Sequence, residues 1–306
     1  MTKLPDVERV TGRTMPTILE VAVNGPWGRA RQPGIPISVD EVVRDGLACA
    51  RAGAAVIHVH PYDVRTGRQR DELDIYVAII EGIRARSDAL VYPTAPFLDD
   101  DGVDRYAVTT ELARRGLIEW TTVDPGSVNI ARFDEIVAGG DGFVYRNSIA
   151  SVRAGLQVAQ RYRVRPSYAC YEPGMVRLGA ALHAQYPGTP RPIFRLMFSD
   201  EFAFGFLPTE QAFAAYAELL AAVAAGAPVM VAGLGVNIHV AIANAVRRGW
   251  HIRVGLEDAP FGTTETNEAL VSRAVSMIQA TGGTVATPCD VRAHLGNVQN
   301  PARLDR

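Results

Sequence analysis

Lysine is almost missing from this chain. Of its 31 basic residues only Lys3 is a lysine, and it lies in a polar N-terminal stretch, so Schiff-base chemistry has no credible nucleophile. Cysteine is scarce too. Cys49, Cys170 and Cys289 are far apart and lack C-x-x-C spacing, which argues against a disulfide framework and a cysteine zinc site, and fits a reducing compartment. No apolar run approaches membrane-spanning length, and M-T-K-L-P-D-V-E-R-V has no signal-peptide apolar core, so a cytoplasmic protein that meets no membrane is expected. With a net charge of −2 the chain also lacks the excess of cations that nucleic acid or an anionic membrane calls for. The G-x-G-x-x-G signature of a doubly wound nucleotide-binding sheet is absent after the first strand.

What is present is ample apolar material, 48% of 306 residues, in a regular rhythm. Eight β-rich runs are each followed by a helical segment: Thr17 to Val23, Ala55 to His60, Leu90 to Thr94, Glu119 to Val123, Pro166 to Tyr171, Ile193 to Phe198, Val229 to Ala232 and His251 to Gly255. Helices are expected from Ser38, an N-cap with a capping box through Glu41, to Ala52, and from about Asp71 to Arg86, Val103 to Arg115 and Ser148 to Tyr162. Further ones are expected near Met175 to Gln185, Glu210 to Ala225, up to Arg248, and Asn267 to Ala280. The segment 127–142 is less regular. The pattern is that of an α/β protein, a (β/α)₈ TIM barrel forming a single domain over 1–306, with an N-terminal tail at 1–16 and a C-terminal extension at 288–306.

Such barrels place their chemistry at the C-terminal ends of the strands. The second run, A-V-I-H-V-H, ends in His58 and His60; residues two apart on a strand share a face, which is metal-ligand spacing. Two satisfied structural histidines are the competing explanation. Barrel closure sets the first strand between the second and the eighth, so Glu257 and Asp258, after the eighth, face the histidines across one strand. Glu257 would complete a His₂Glu site with an open position. Arg253, a charge inside the eighth strand, needs a carboxylate: strand parity favours Glu257, whereas a turn after Gly255 brings Asp258 round. His183, His239, His251 and His294 are read as structural or surface residues.

Several motifs together resemble the β-keto acid cleavage enzymes, of which the 3-keto-5-aminohexanoate cleavage enzyme is one. They are G-P-W-G at Gly25 to Gly28, A-G-A-A-V-I-H-V-H at Ala52 to His60, Y-E-P-G-M-V at Tyr171 to Val176, V-A-G-L-G at Val231 to Gly235 and H-I-R-V-G-L-E-D at His251 to Asp258. The resemblance runs over nearly the whole chain. It implies a TIM barrel, usually a homotetramer, in which zinc on two histidines and a glutamate binds a β-keto acid that condenses with acetyl-CoA to give acetoacetate and an acyl-CoA. Carried over, His58, His60 and Glu257 are zinc ligands, Asp258 is the base oriented by Arg253, and Thr94 and Thr122 hold the substrate carboxylate. Gly25 and Trp27 then belong to the substrate site.

Three positions depart from the lysine-fermentation member. Trp27 replaces the glutamate for the substrate amine, Pro93 replaces a serine beside Thr94, and Tyr62 replaces an arginine. An indole at Trp27 suits an apolar or trimethylammonium substrate end, or else packs on the Phe202 to Phe206 loop. Gly233 and Gly235, with that loop, are candidates for admitting the thioester arm. The competing functions are a metal-dependent aldolase without CoA and a non-catalytic small-molecule-binding barrel; an amidohydrolase would need further ligand histidines on middle strands.

Overall fold

The computed structural model describes residues 15–96 and 104–295; the first fourteen residues of the expected tail, the expected helix start at Val103 and the extension beyond Leu295 lie outside it. The eight barrel strands are β1 (Leu19–Ala22), β2 (Val56–Val59), β3 (Leu90–Pro93), β4 (Trp120–Thr122), β5 (Arg165–Cys170), β6 (Ile193–Phe198), β7 (Val229–Gly233) and β8 (His251–Val254). All pair in parallel, in the order β3-β2-β1-β8-β7-β6-β5-β4. The helices between them are α1 (Val39–Ala52), α2 (Leu73–Arg84), α3 (Ala107–Arg114), a short α4 (Phe133–Val137), α5 (Ile149–Tyr162), α6 (Pro173–His183), α7 (Glu210–Val223), α8 (Ile242–Arg247) and α9 (Asn267–Ala280). The expected (β/α)₈ barrel is therefore the observed fold, with α10 (Pro288–Leu295) after it.

Local chemistry explains the start of α1. The Ser38 hydroxyl accepts the Glu41 N–H at 3.2 Å, and the Glu41 carboxylate accepts the Ser38 N–H at 3.0 Å, so two otherwise orphaned donors are satisfied reciprocally. The outer faces of the strands are apolar, rich in Val and Ile but with Phe194, Leu196 and Phe198 on β6, and pack on α1, α2, α5 and α9. Inside the bore, Ile18, Val56, Leu90, Trp120, Ile193 and Met230 form an apolar floor that Ala286 and Val291 of the C-terminal segment complete.

The barrel is nearly closed. Its one seam without a described ladder lies between β3 and β4, and Pro93 contributes to it. Leu90 and Thr94 give their N–H groups to β2, at Ala55 O and Val59 O, so by strand alternation the backbone of Pro93 faces β4. A proline has no N–H to donate there. The Thr122 hydroxyl instead donates to the Pro93 carbonyl at 2.9 Å.

Two hairpins stand outside the eight-strand rhythm. Tyr62–Asp63 pairs with Arg68–Gln69 in the loop after β2, and Val128–Ile130 pairs with Phe143–Tyr145 around α4 in the segment expected to be irregular. No described helix is long and apolar enough to cross a membrane.

Candidate active site

The strand order puts β1 between β2 and β8, and the three supposed ligands meet above it. His58 Nε2 and His60 Nε2 are 3.2 Å apart, and Glu257 Oε2 lies 3.6 and 3.4 Å from them. Tetrahedral zinc, with bonds of about 2.0–2.2 Å, needs donors roughly 3.3–3.5 Å apart. The three separations fall within about 0.1 Å of that range. Glu257 Oε2 is also buried with no hydrogen-bond partner, an orphan that a cation would satisfy. Burial drives the His58 imidazole well below its usual range, outweighing the nearby Glu257 carboxylate, and so favours the neutral form that ligates. Burial would raise Glu257, but the Arg253 guanidinium beside it holds it well below the usual carboxylate range.

The second hairpin partner after β2 orients this set. Gln69 Oε1 lies 2.8 Å from His60 Nδ1, and the Gln69 amide donates to Asp71 at 3.0 Å. With Nδ1–H donated to Gln69, the His60 Nε2 lone pair faces His58 and Glu257. Across the same loop, the Tyr62 hydroxyl donates to Gly25 O at 2.5 Å and ties the loops after β1 and β2 together.

Arg253 settles its choice of carboxylate by taking both. Its Nε donates to Asp258 Oδ2 at 2.8 Å, and Nη2 donates to Asp258 Oδ1 and Glu257 Oε1, each at 2.6 Å. The turn that permits this is at Gly255, with φ at +142°; a Cβ there would collide with the Ala22 carbonyl. Asp258 is buried, and desolvation raises its carboxyl to about 6 against the pull of Arg253. Beneath it lies a polar layer absent from the sequence reading. Glu20 accepts the Tyr92 hydroxyl at 2.7 Å and faces Arg253 Nη1 at 3.4 Å and Arg195 Nη1 at 3.6 Å. A lone charge inside an apolar strand singles out Arg253; Glu20 in T-I-L-E-V-A-V and Arg195 in I-F-R-L-M-F carry the same signal.

The cavity above includes His58, His60, Glu257, Asp258, Thr94, Thr122, Asp124, Arg195 and Trp27 in its wall. Both threonine hydroxyls are already donors: Thr122 to Pro93 O, and Thr94 to Ala95 O at 3.3 Å. Asp124 accepts the Tyr145 hydroxyl at 2.7 Å and the Ala169 N–H at 2.9 Å. Trp27 both lines the cavity and packs on the loops, with ring centroids 5.3 Å from Phe261 and 6.0 Å from Phe202 and its N–H donated to Glu257 O at 3.1 Å. Gly25 lies behind the cavity wall, at φ +66° against the Glu257 side chain. Gly233 and Gly235 are also outside that wall; Leu234 between them lines it.

The family model of the beta-keto acid cleavage enzymes matches residues 16–296. The chain belongs to this family. Among its relatives in the family is the 3-dehydrocarnitine:acetyl-CoA trimethylamine transferase of Rhizobium meliloti (strain 1021), 26% identical over 85% of this chain and 89% of that protein. The 3-oxoadipate:acetyl-CoA acetyltransferase of Cupriavidus necator is 26% identical over 92% and 95% of the two chains, and the 3-keto-5-aminohexanoate cleavage enzyme of Acetoanaerobium sticklandii 24% over 88% and 93%. Among solved structures, ObcA in its binary complex with oxaloacetate superposes with a TM-score of 0.68 at 20% identity, covering 88% of this chain and 68% of that one, which shows a shared barrel. The keto acids in these three names differ at the far end.

Proposed function

We propose that this protein condenses a β-keto acid with acetyl-CoA, giving acetoacetate and the CoA ester of the remaining fragment, and that it uses a zinc ion held by His58, His60 and Glu257. The observation that carries the reading is the convergence of three buried donor atoms beside a carboxylate gripped by arginine, in a chain of this family. A zinc ion bound there would supply Lewis-acid polarisation of the keto oxygen.

The chain's own residues supply the rest. Asp258, which lines the cavity beside the three donors, takes the proton from the carbon that becomes the nucleophile, and burial raises its basicity above that of an ordinary carboxylate. Arg253 fixes both oxygens of that carboxylate by a two-point fork, and its third contact sets Glu257. Trp27 has its N–H committed to Glu257 O, so it presents only apolar surface to the cavity, joined there by Phe143, Tyr171 and Met197. That wall suits an alkyl or trimethylammonium substrate end. The resemblance adds homotetrameric assembly, and the cysteine usage a cytoplasmic setting.

The test is a panel of β-keto acids with alkyl, trimethylammonium and primary-amine ends, each incubated with acetyl-CoA and assayed for acetoacetate and acyl-CoA. Product should require CoA, and kcat/KM should rank the alkyl and trimethylammonium acids above the amine, with Trp27→Glu shifting that order. Cleavage without CoA would favour the metal-dependent aldolase instead, and no cleavage of any member would remove the reading.

A further inference from the structure

One cation in the cavity wall takes no part in the proposed proton transfer or ligand set. Arg195 projects from β6, is 3% exposed, and is held by Nη1, which donates to the Tyr92 hydroxyl at 2.7 Å and the Ser167 hydroxyl at 2.9 Å. It lines the same cavity as His58, His60 and Glu257, and it is the one arginine or lysine among the described residues of that wall.

We propose that Arg195 is the counter-ion and donor for the carboxylate of the β-keto acid. This rests on the reading of the substrate as such an acid. The threonines expected in that role each have their hydroxyl proton on a backbone carbonyl, and Thr122 is two residues from Asp124, whose carboxylate lines the same cavity. An anion held by those hydroxyls alone would have neither a free neutral donor nor a cation.

Formal charge points the same way. Glu20, Asp124, Glu257 and Asp258 set four buried or cavity-lining carboxylates against the two guanidinia of Arg195 and Arg253, two net negative charges. A divalent cation on the ligand set would bring that sum to zero. Without Arg195 an incoming anion would enter a desolvated cluster that is itself net negative. Glu20 is then a positioning residue, since its Oε1 accepts from Tyr92 and faces both guanidinia.

The experiment measures binding without turnover. Metal-loaded protein is titrated calorimetrically with 3-hydroxybutyrate, which cannot be cleaved, and with its methyl ester, which has the same shape near the hydroxyl and no charge. Wild-type protein should prefer the acid. Arg195→Gln should weaken the acid about 10- to 150-fold, as expected for hydrogen bonds to a charged group, and change the ester by no more than about twofold; Arg195→Lys should fall between.

If Arg195→Gln does not fold, Tyr92→Phe and Ser167→Ala each remove one anchor of Nη1 and should lower the acid-to-ester ratio several-fold. The proposal is overturned by a wild-type protein with no preference for the acid, by a folded, metal-replete Arg195→Gln that keeps the preference, or by anchor variants that leave the ratio unchanged. Because acetoacetate formation is not the readout, failure of the proposed reaction and failure of this assignment are separate results.

Discussion

Halfway up the barrel bore the side chains change character. The floor is Ile18, Val56, Leu90, Trp120, Ile193 and Met230, all fully or almost fully buried and all apolar except for one indole N–H. The layer above it, equally buried, is Glu20, Tyr92, Arg195 and Arg253, with Asp258 and the His58–His60–Glu257 set on top. Burial alone is not what separates them. Apolar area removed from water stabilises the floor at roughly 25 cal/mol per Å², whereas every charge in the upper layer carries a desolvation penalty that its partners only offset. One layer holds the barrel together; the other holds functional groups in fixed positions at some expense in stability.

Substitutions that treat the two layers as interchangeable should break that contrast most sharply. Asp258→Asn preserves shape and leaves the three ligand atoms in place, so bound metal should remain while kcat falls about 10²- to 10⁴-fold, the usual contribution of a general base. Arg253→Ala should harm stability as well, by roughly 3–5 kcal/mol, because it leaves buried carboxylates without their cation. Near-wild-type turnover in Asp258→Asn would show that another group is the base.

In the floor the pattern should reverse. Trp120→Ala is expected to reduce unfolding free energy by about 3–5 kcal/mol in a denaturant titration, with little change in kcat well below the melting temperature. A large rate loss with stability intact would mean that the floor takes part in the chemistry.

A smaller effect comes from His251, at the lower end of β8, whose Nδ1 accepts the Ile18 N–H at 3.2 Å. Burial lowers it from 6.5 to about 4, so it is neutral in the folded protein. As pH falls below 6.5 the unfolded chain binds a proton that the folded one does not, and stability is lost until the folded imidazole titrates near 4. The loss should approach ~3 kcal/mol, and His251→Asn should flatten the acid limb of the stability curve. An unchanged limb would show that other groups govern it.

Much of this was legible in the sequence because strand alternation and barrel closure are rigid geometric rules. They bring residues 58, 60 and 257 together although two of them are some two hundred positions from the third. The Arg253 choice stayed open because parity predicts one partner and the Gly255 turn adds a second; a turn angle is not written in periodicity. Gln69 was missed because a two-residue hairpin strand is too short for any period to register. Glu20 and Arg195 were in plain view, but each finds its partners on strands far away in the chain, and only the assembled bore shows that they meet. The two threonines were placed at the right height in the barrel, but the carbonyls that take their protons depend on details, such as the Pro93 seam, that strand-end counting does not reach.

The proposed chemistry depends most on a metal at His58, His60 and Glu257. Elemental analysis of protein purified without chelators should find one zinc per chain, lost in His58→Ala and in Glu257→Gln and retained in Asp258→Asn. Wild-type protein with no stoichiometric divalent ion, or a metal content that is indifferent to His58 and Glu257, would contradict it.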